Sequence, residues 1–122
     1  MRERAIAVTR PPAFTTEQMP WGHLVWQVSG SLGNSDEMTL GRCVLEPGQA
    51  NGRHFHPNCD ELLEVLDGSI VHTLDAEEVA MERGDIISVP AGVVHNARNV
   101  GEGRANLLIC FSSAWRETTP VQ

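Results

Sequence analysis

Short runs of alternating apolar and polar residues recur along this chain, separated by clusters rich in glycine, proline, asparagine and aspartate. Residues 21–29 (WGHLVWQVS), 38–45 (MTLGRCVL), 61–66 (ELLEVL), 69–74 (SIVHTL), 85–89 (DIISV), 93–98 (VVHNAR) and 105–112 (ANLLICFS) predict strands. The turns between them fall at 30–36, Pro47-Gly48, Asp67-Gly68, Pro90-Ala91-Gly92 and Gly101-Glu102-Gly103. Asp67-Gly68 between two apolar runs predicts a two-residue hairpin. Gly41, inside a strand, predicts a bulge or a close approach of backbone. Residues 76–81 have helical propensity, but their flanking turns and strands favour a short strand or connector. Residues 1–20, interrupted by Pro11, Pro12 and Pro20, read as an extended arm with at most a short edge strand over 5–9. The polar tail, 114–122, reads as frayed or packed on a partner. Many short strands without a convincing helix give an all-β class, an antiparallel sandwich or barrel over residues 21–113.

Length and charge narrow the function. A chain of 122 residues supports one domain and one core. Nine Lys and Arg against 16 Asp and Glu give a net charge of -7, which disfavours nucleic acid and anionic membrane as partners. Three cysteines (Cys43, Cys59, Cys110) without a CxxC pair suit a reducing compartment. No secretory signal or long apolar run is present, so a soluble cytoplasmic protein is expected. Gly101-Glu102-Gly103 lacks the third glycine and following helix of a dinucleotide-binding loop.

The candidate chemistry lies in two stretches. GQANGRHFHPNCDELLEVLDG, residues 48–68, holds His54, His56 and Glu61; GDIISVPAGVVHNARN, residues 84–99, adds His95. On extended backbone His54 and His56 point to one side, and Arg53 and Phe55 to the other. Three imidazoles and a carboxylate from separate segments read as a site for one divalent transition metal, with Fe, Mn, Ni, Zn and Cu all open. His23, far upstream, reads as a partly exposed strand histidine.

These stretches resemble the two motifs of the cupin superfamily. Gly48, five residues, His54-x-His56, four residues, Glu61, six residues and Gly68 match the first at every position. Gly84, five residues, Pro90-x-Gly92, two residues, His95, three residues and Asn99 match the second. The resemblance implies a small single-domain jelly-roll barrel (a double-stranded β-helix) of six to eight strands, with the metal in its mouth. It assigns ligand roles to His54, His56, Glu61 and His95, and leaves Asn99 structural. It also implies a homodimer, with exchange of N-terminal strands an option.

The expected hairpin has a further consequence. It pairs Val65 with Ile70, Leu63 with His72 and Glu61 with Leu74, and paired residues share a face. If Glu61 faces the metal, His72 lies inside the barrel, either as a satisfied core histidine or as an acid/base residue beside the site. With no tyrosine in the chain, a tyrosine base or radical is excluded. Arg42, Arg53, Arg98 and Arg104 are the arginines that could act locally on an anionic substrate. The favoured function is a metal-dependent enzyme on an organic small molecule, of dioxygenase (oxidoreductase), isomerase or lyase type. In it Glu61 could loosen from the ion to act as base, and His72 relay the proton. The alternative is a non-catalytic binding or sensing module with a structural metal.

Overall fold

The computed structural model describes residues 7–122. Strands β1 (Thr15–Met19), β2 (Gly22–Val28), β3 (Thr39–Leu45), β5 (Glu61–Asp67), β8 (Ile86–Val89) and β10 (Ala105–Phe111) form one antiparallel sheet. Its order is β1-β2-β3-β10-β5-β8. Strands β4 (His54–Phe55), β6 (Ser69–Leu74), β7 (Glu77–Glu82), β9 (His95–Asn99) and β11 (Thr119–Pro120) form the second, ordered β11-β4-β9-β6-β7. The two close into a jelly roll, in agreement with the all-β expectation. Among the described residues no helix is long and apolar enough to cross a membrane.

Strands β3, β5 and β10 bury every second residue, so each puts one face on the core. The registers order the interior from end to end. At the closed end Leu45 faces Ala105 across β3 and β10, and Ile70 faces Asn99 across β6 and β9. Leu45, Val65, Ile70, Ala105 and Leu107 are wholly inaccessible there. Asn99 clamps this end: its Nδ2 donates to the carbonyls of Leu45 (2.9 Å) and Gly103 (2.8 Å), and its Oδ1 accepts from Gly101 N–H (2.9 Å). At the other end Glu61 faces Phe111, and His95 faces His54. Gly41 gives the close approach expected of it, since a Cβ there would meet the Trp26 ring at 2.6 Å.

Three expectations are corrected. Asp67-Gly68 does not close a hairpin: β5 pairs with β10 and β8, whereas β6 pairs with β7 and β9. The dipeptide is a corner at which the chain leaves one sheet for the other, and Gly68 (φ 96°) takes the turn. Of the short edge strand expected over 5–9, residues 5 and 6 lie outside the described residues and 7–9 are irregular. The first strand of the described residues is β1, exposed at every position and held by pairing with β2. The C-terminal segment is not frayed either, because β11 pairs with β4 and Ala114 is buried.

Candidate metal centre

Each histidine at the open end is oriented by a backbone carbonyl. The His54 Nδ1–H donates to Gly52 O (2.7 Å), the His95 Nδ1–H to Val93 O (2.9 Å) and the His56 Nδ1–H to Glu117 O (2.9 Å). A carbonyl can only accept, so in all three rings Nδ1 carries the proton and Nε2 faces the centre. His54 and His95 are held opposite one another by the β4–β9 pairing, with ring centroids 4.4 Å apart. His56 is fixed twice: by the Glu117 carbonyl, and by its own carbonyl accepting from Gly92 N–H (2.9 Å). Glu61 opens β5 against Phe111 and Val89, which turns its carboxylate toward the three rings.

The electrostatics expose the strain in this arrangement. Glu61 Oε1 lies 2.9 Å from His95 Nε2 and 3.1 Å from His56 Nε2. Burial alone would raise the Glu61 carboxyl, but the His56 and His95 imidazoles beside it outweigh burial and lower the pKa to about 2. Burial works against charge on His95 too, yet the bond to Glu61 prevails and raises its pKa above the ordinary value. Both His95 nitrogens then face acceptors, an arrangement that favours a second proton on the ring. Burial brings His54 down to about 4 and keeps it neutral. The buried His56 Nε2, although 3.1 Å from Glu61 Oε1, lacks the alignment of a hydrogen bond and has no other partner among the described residues.

One potential ligand atom from each of His54, His56, Glu61 and His95 lies within 4.8 Å of the others. Ligands on opposite sides of an ion at ~2.0–2.2 Å are roughly 4.2 Å apart, so the set needs only a small contraction to close on one ion. An orphaned nitrogen, a neutral imidazole and a carboxylate charge balanced by one proton are the donors that a divalent cation satisfies together. The residues fit a metal.

The site opens into a cavity of about 220 Å³. Trp21, Leu24, Trp26, Leu107, Ile109 and Phe111 supply much of its wall. His72 lies in it, wholly buried and stacked on His95 (ring centroids 5.8 Å apart, planes at 12°). Neither ring nitrogen of His72 has a protein partner among the described residues. Burial first, then His95, lowers its pKa to about 4. The inward direction of His72 thus stands although the hairpin that suggested it does not form. Val65 and Ile70 both point inward, and the corner between them preserves the parity a two-residue turn would have set.

Of the arginines singled out from sequence, Arg98 reaches Glu78 (4.0 Å) and Arg104 pairs with Glu46 (3.0 Å), both on the surface. Arg42 is exposed. Arg53, expected to point away, borders the cavity while donating to Asp75 O (2.9 Å). His23 is half-buried on β2, as expected, and does not border the cavity. The residues that sequence reasoning missed are Arg116, Thr118 and Pro120, which complete the wall from the C-terminal segment. Cys43 also borders it, but burial pushes its thiol up to about 12 and leaves it inert at neutral pH.

The sequence model of the cupin domain family matches residues 41–111. Among curated proteins, the tetracenomycin polyketide synthase protein TcmJ of Streptomyces glaucescens is 34% identical over 73 residues, covering 60% of this chain and 49% of its own length. The putative germin-like protein 9-2 of Oryza sativa subsp. japonica is 32% identical over 95 residues, 72% of this chain and 44% of that protein. The chain therefore spans about half the length of these relatives or less. Among solved structures, an oxalate decarboxylase of Bacillus subtilis described with Mn(II) centres superposes with a TM-score of 0.81 at 21% identity, covering 87% of this chain and 29% of that one. An oxalate oxidase in complex with glycolate gives 0.65 at 23% identity, with 69% and 46% covered. At such identities the structures attest the fold.

Proposed function

Because the chain belongs to the cupin domain family, we propose that it is a metal-dependent enzyme acting on a small organic molecule. One divalent transition metal (Fe, Mn, Ni, Zn or Cu) would be held by His54, His56, Glu61 and His95. The observation that carries this reading is the shared orientation of the three imidazoles: each gives its Nδ1 proton to a backbone carbonyl, and the three Nε2 atoms converge beside one carboxylate. Bound there, the ion would polarise a carbonyl or enolate oxygen or, if Fe, Mn, Ni or Cu, support oxidation by O₂. The Mn(II) of the oxalate decarboxylase neighbour supports Mn among the choices. A homodimer belongs to the same reading, supported by the exposed Leu62 and Ile86 of the six-stranded sheet.

Proton transfer falls to His72. Glu61, with a pKa of about 2, is a weak base and serves better as a ligand. His72 is neutral at physiological pH, stands beside His95 in the cavity wall, and has one N–H and one lone pair without a protein partner among the described residues. A buried imidazole without partners costs about 1–3 kcal/mol. His72→Leu is therefore expected to stabilise the protein against denaturant by about 1–2 kcal/mol while lowering turnover about 10²–10⁴-fold. Unchanged turnover would return His72 to the core.

The test of the whole reading is metal analysis of protein purified without added metal, combined with O₂ uptake on enediols, catechols and flavonols. About one equivalent of a transition metal per chain is expected from four protein ligands. Less than about a tenth of an equivalent after reconstitution would reject the metal site, given how tightly such donor sets bind. Stoichiometric metal without turnover on any substrate class would favour the non-catalytic binding or sensing module.

A further inference from the structure

Arg116 is the feature of the cavity that metal chemistry does not absorb. Its guanidinium carbon lies 4.2 Å from the Trp26 ring centroid and 5.3 Å from that of Phe111. Nη1 donates to the Thr118 hydroxyl. The backbone around it is pinned to the barrel: Gly30 N–H donates to Ala114 O (2.8 Å), Glu117 N–H to Asn58 Oδ1 (2.9 Å) and Val121 N–H to Arg53 O (2.9 Å). A long, strongly solvated side chain is thus held half-buried against two aromatic rings instead of extending into water. Glu17 is an acidic group that acts on it, and it is exposed and already accepts from Trp26 Nε1 (2.6 Å). No ion pair accompanies Arg116 among the described residues.

We propose that Arg116 forms an anion-recognition subsite of the cavity, and that the ligand is a small planar aromatic acid or enolate of a single ring. Phe111 connects the subsite to the centre, since its ring contacts His56 (centroids 4.9 Å apart) and also underlies Arg116. A planar ligand in the cavity that both groups border could offer one oxygen to the metal centre and its anionic group to the arginine fork, which suits a planar carboxylate or enolate. The volume sets the size. A dry apolar cavity of about 150 Å³ takes benzene and drug-sized ligands need about 300 Å³ or more. At about 220 Å³ this cavity suits one substituted ring, not several fused ones. The placement of the ligand's second oxygen rests on the metal reading; the charge preference of Arg116 does not.

The test is calorimetric titration of the full-length protein, metal-loaded and chelated, with benzoate and with its neutral counterpart benzamide. A charge-assisted hydrogen bond predicts that benzoate binds about 10–100-fold more tightly. Arg116→Gln should abolish this preference in the chelated form, where no ion can take the carboxylate, and Arg116→Lys, which keeps the charge but not the fork, should retain part of it. Equal affinities, a preference unchanged in Arg116→Gln, or no binding of either probe would overturn the proposal. If Arg116→Gln melts as an unfolded chain, Arg116→Lys decides: a reduced preference supports the subsite and an unchanged one overturns it. Failure of the metal reading is separately visible, as absent metal with the preference for benzoate intact.

Discussion

His95→Ala is expected to lower the affinity for divalent metal by more than about a hundredfold, beyond the usual loss on removing a mere hydrogen-bond partner of a ligand. The effect is large because His95 sits at the crossing of both constraints on the site. It faces His54 across β4 and β9, and its Nε2 is hydrogen-bonded to Glu61 Oε1 at 2.9 Å. The pH profile should change with it. In the metal-free protein the His95 pKa for a second proton is raised above its ordinary 6.5. Metal must displace that proton, so affinity in the native protein falls as pH drops through the raised value. His95→Ala should remove that step. For folding of the metal-free chain the sign is opposite. A raised histidine pKa contributes stability that is complete below the unfolded value and is lost as pH rises through the folded one. Competition titrations against a coloured chelator across pH check the first effect, and denaturant melts after chelation the second. A His95→Ala protein with native affinity would remove His95 from the ligand set.

The second large effect is structural. Gly68→Ala is expected to cost about 2–4 kcal/mol, combining about 1–2 kcal/mol of left-handed backbone strain with overpacking of a closed core. Gly68 has φ 96°, and a Cβ there would lie 2.9 Å from Ala105 Cα and 3.1 Å from Arg104 O, both backbone atoms of the neighbouring turn and strand. In a chain of this size such a loss lowers the melting temperature on the order of 10 °C. Gly33→Ala is the control: φ is 76°, but a Cβ would meet nothing within 4 Å, so only the backbone cost of about 1 kcal/mol applies. Equal melting temperatures for the two variants would show that the corner at Gly68 yields without strain.

The same glycine shows where sequence reasoning reached and where it stopped. Asp67-Gly68 signals a reversal with a positive φ at glycine, and that much is right. The dipeptide cannot say whether the outgoing strand pairs with the incoming one or crosses to another sheet, because that choice depends on contacts with β9 and β10, which come later in the chain. The alternation of β5 survives both outcomes, so the inward direction of Glu61 and His72 could be read while their pairing could not. The four centre residues were legible for a similar reason: each lies at a strand start or beside a turn whose residue types are locally constrained. Strand β1 was not. TTEQM is exposed at every position, so no alternation marks it, and its place is set by partners in β2. The wall formed by Arg116 and Thr118 was equally silent, since β11 is two residues long and pairs with an equally short β4.

The division of labour between these segments bears on how such a protein can change. All four centre residues fall within 41–111, the span matched to the family, whereas Trp21, Leu24, Trp26, Arg116 and Thr118, which wall the cavity, lie outside it. Part of the cavity wall is thus encoded by the two flanks, apart from the stretch that carries the four centre residues. Substitutions in the two flanks can retune selectivity without disturbing the donor set, with one exception. Glu117 contributes its backbone carbonyl to His56, and a peptide oxygen is present whatever side chain the position carries. Drift at the two ends can therefore reshape part of the cavity while the four donor residues stay fixed in the middle.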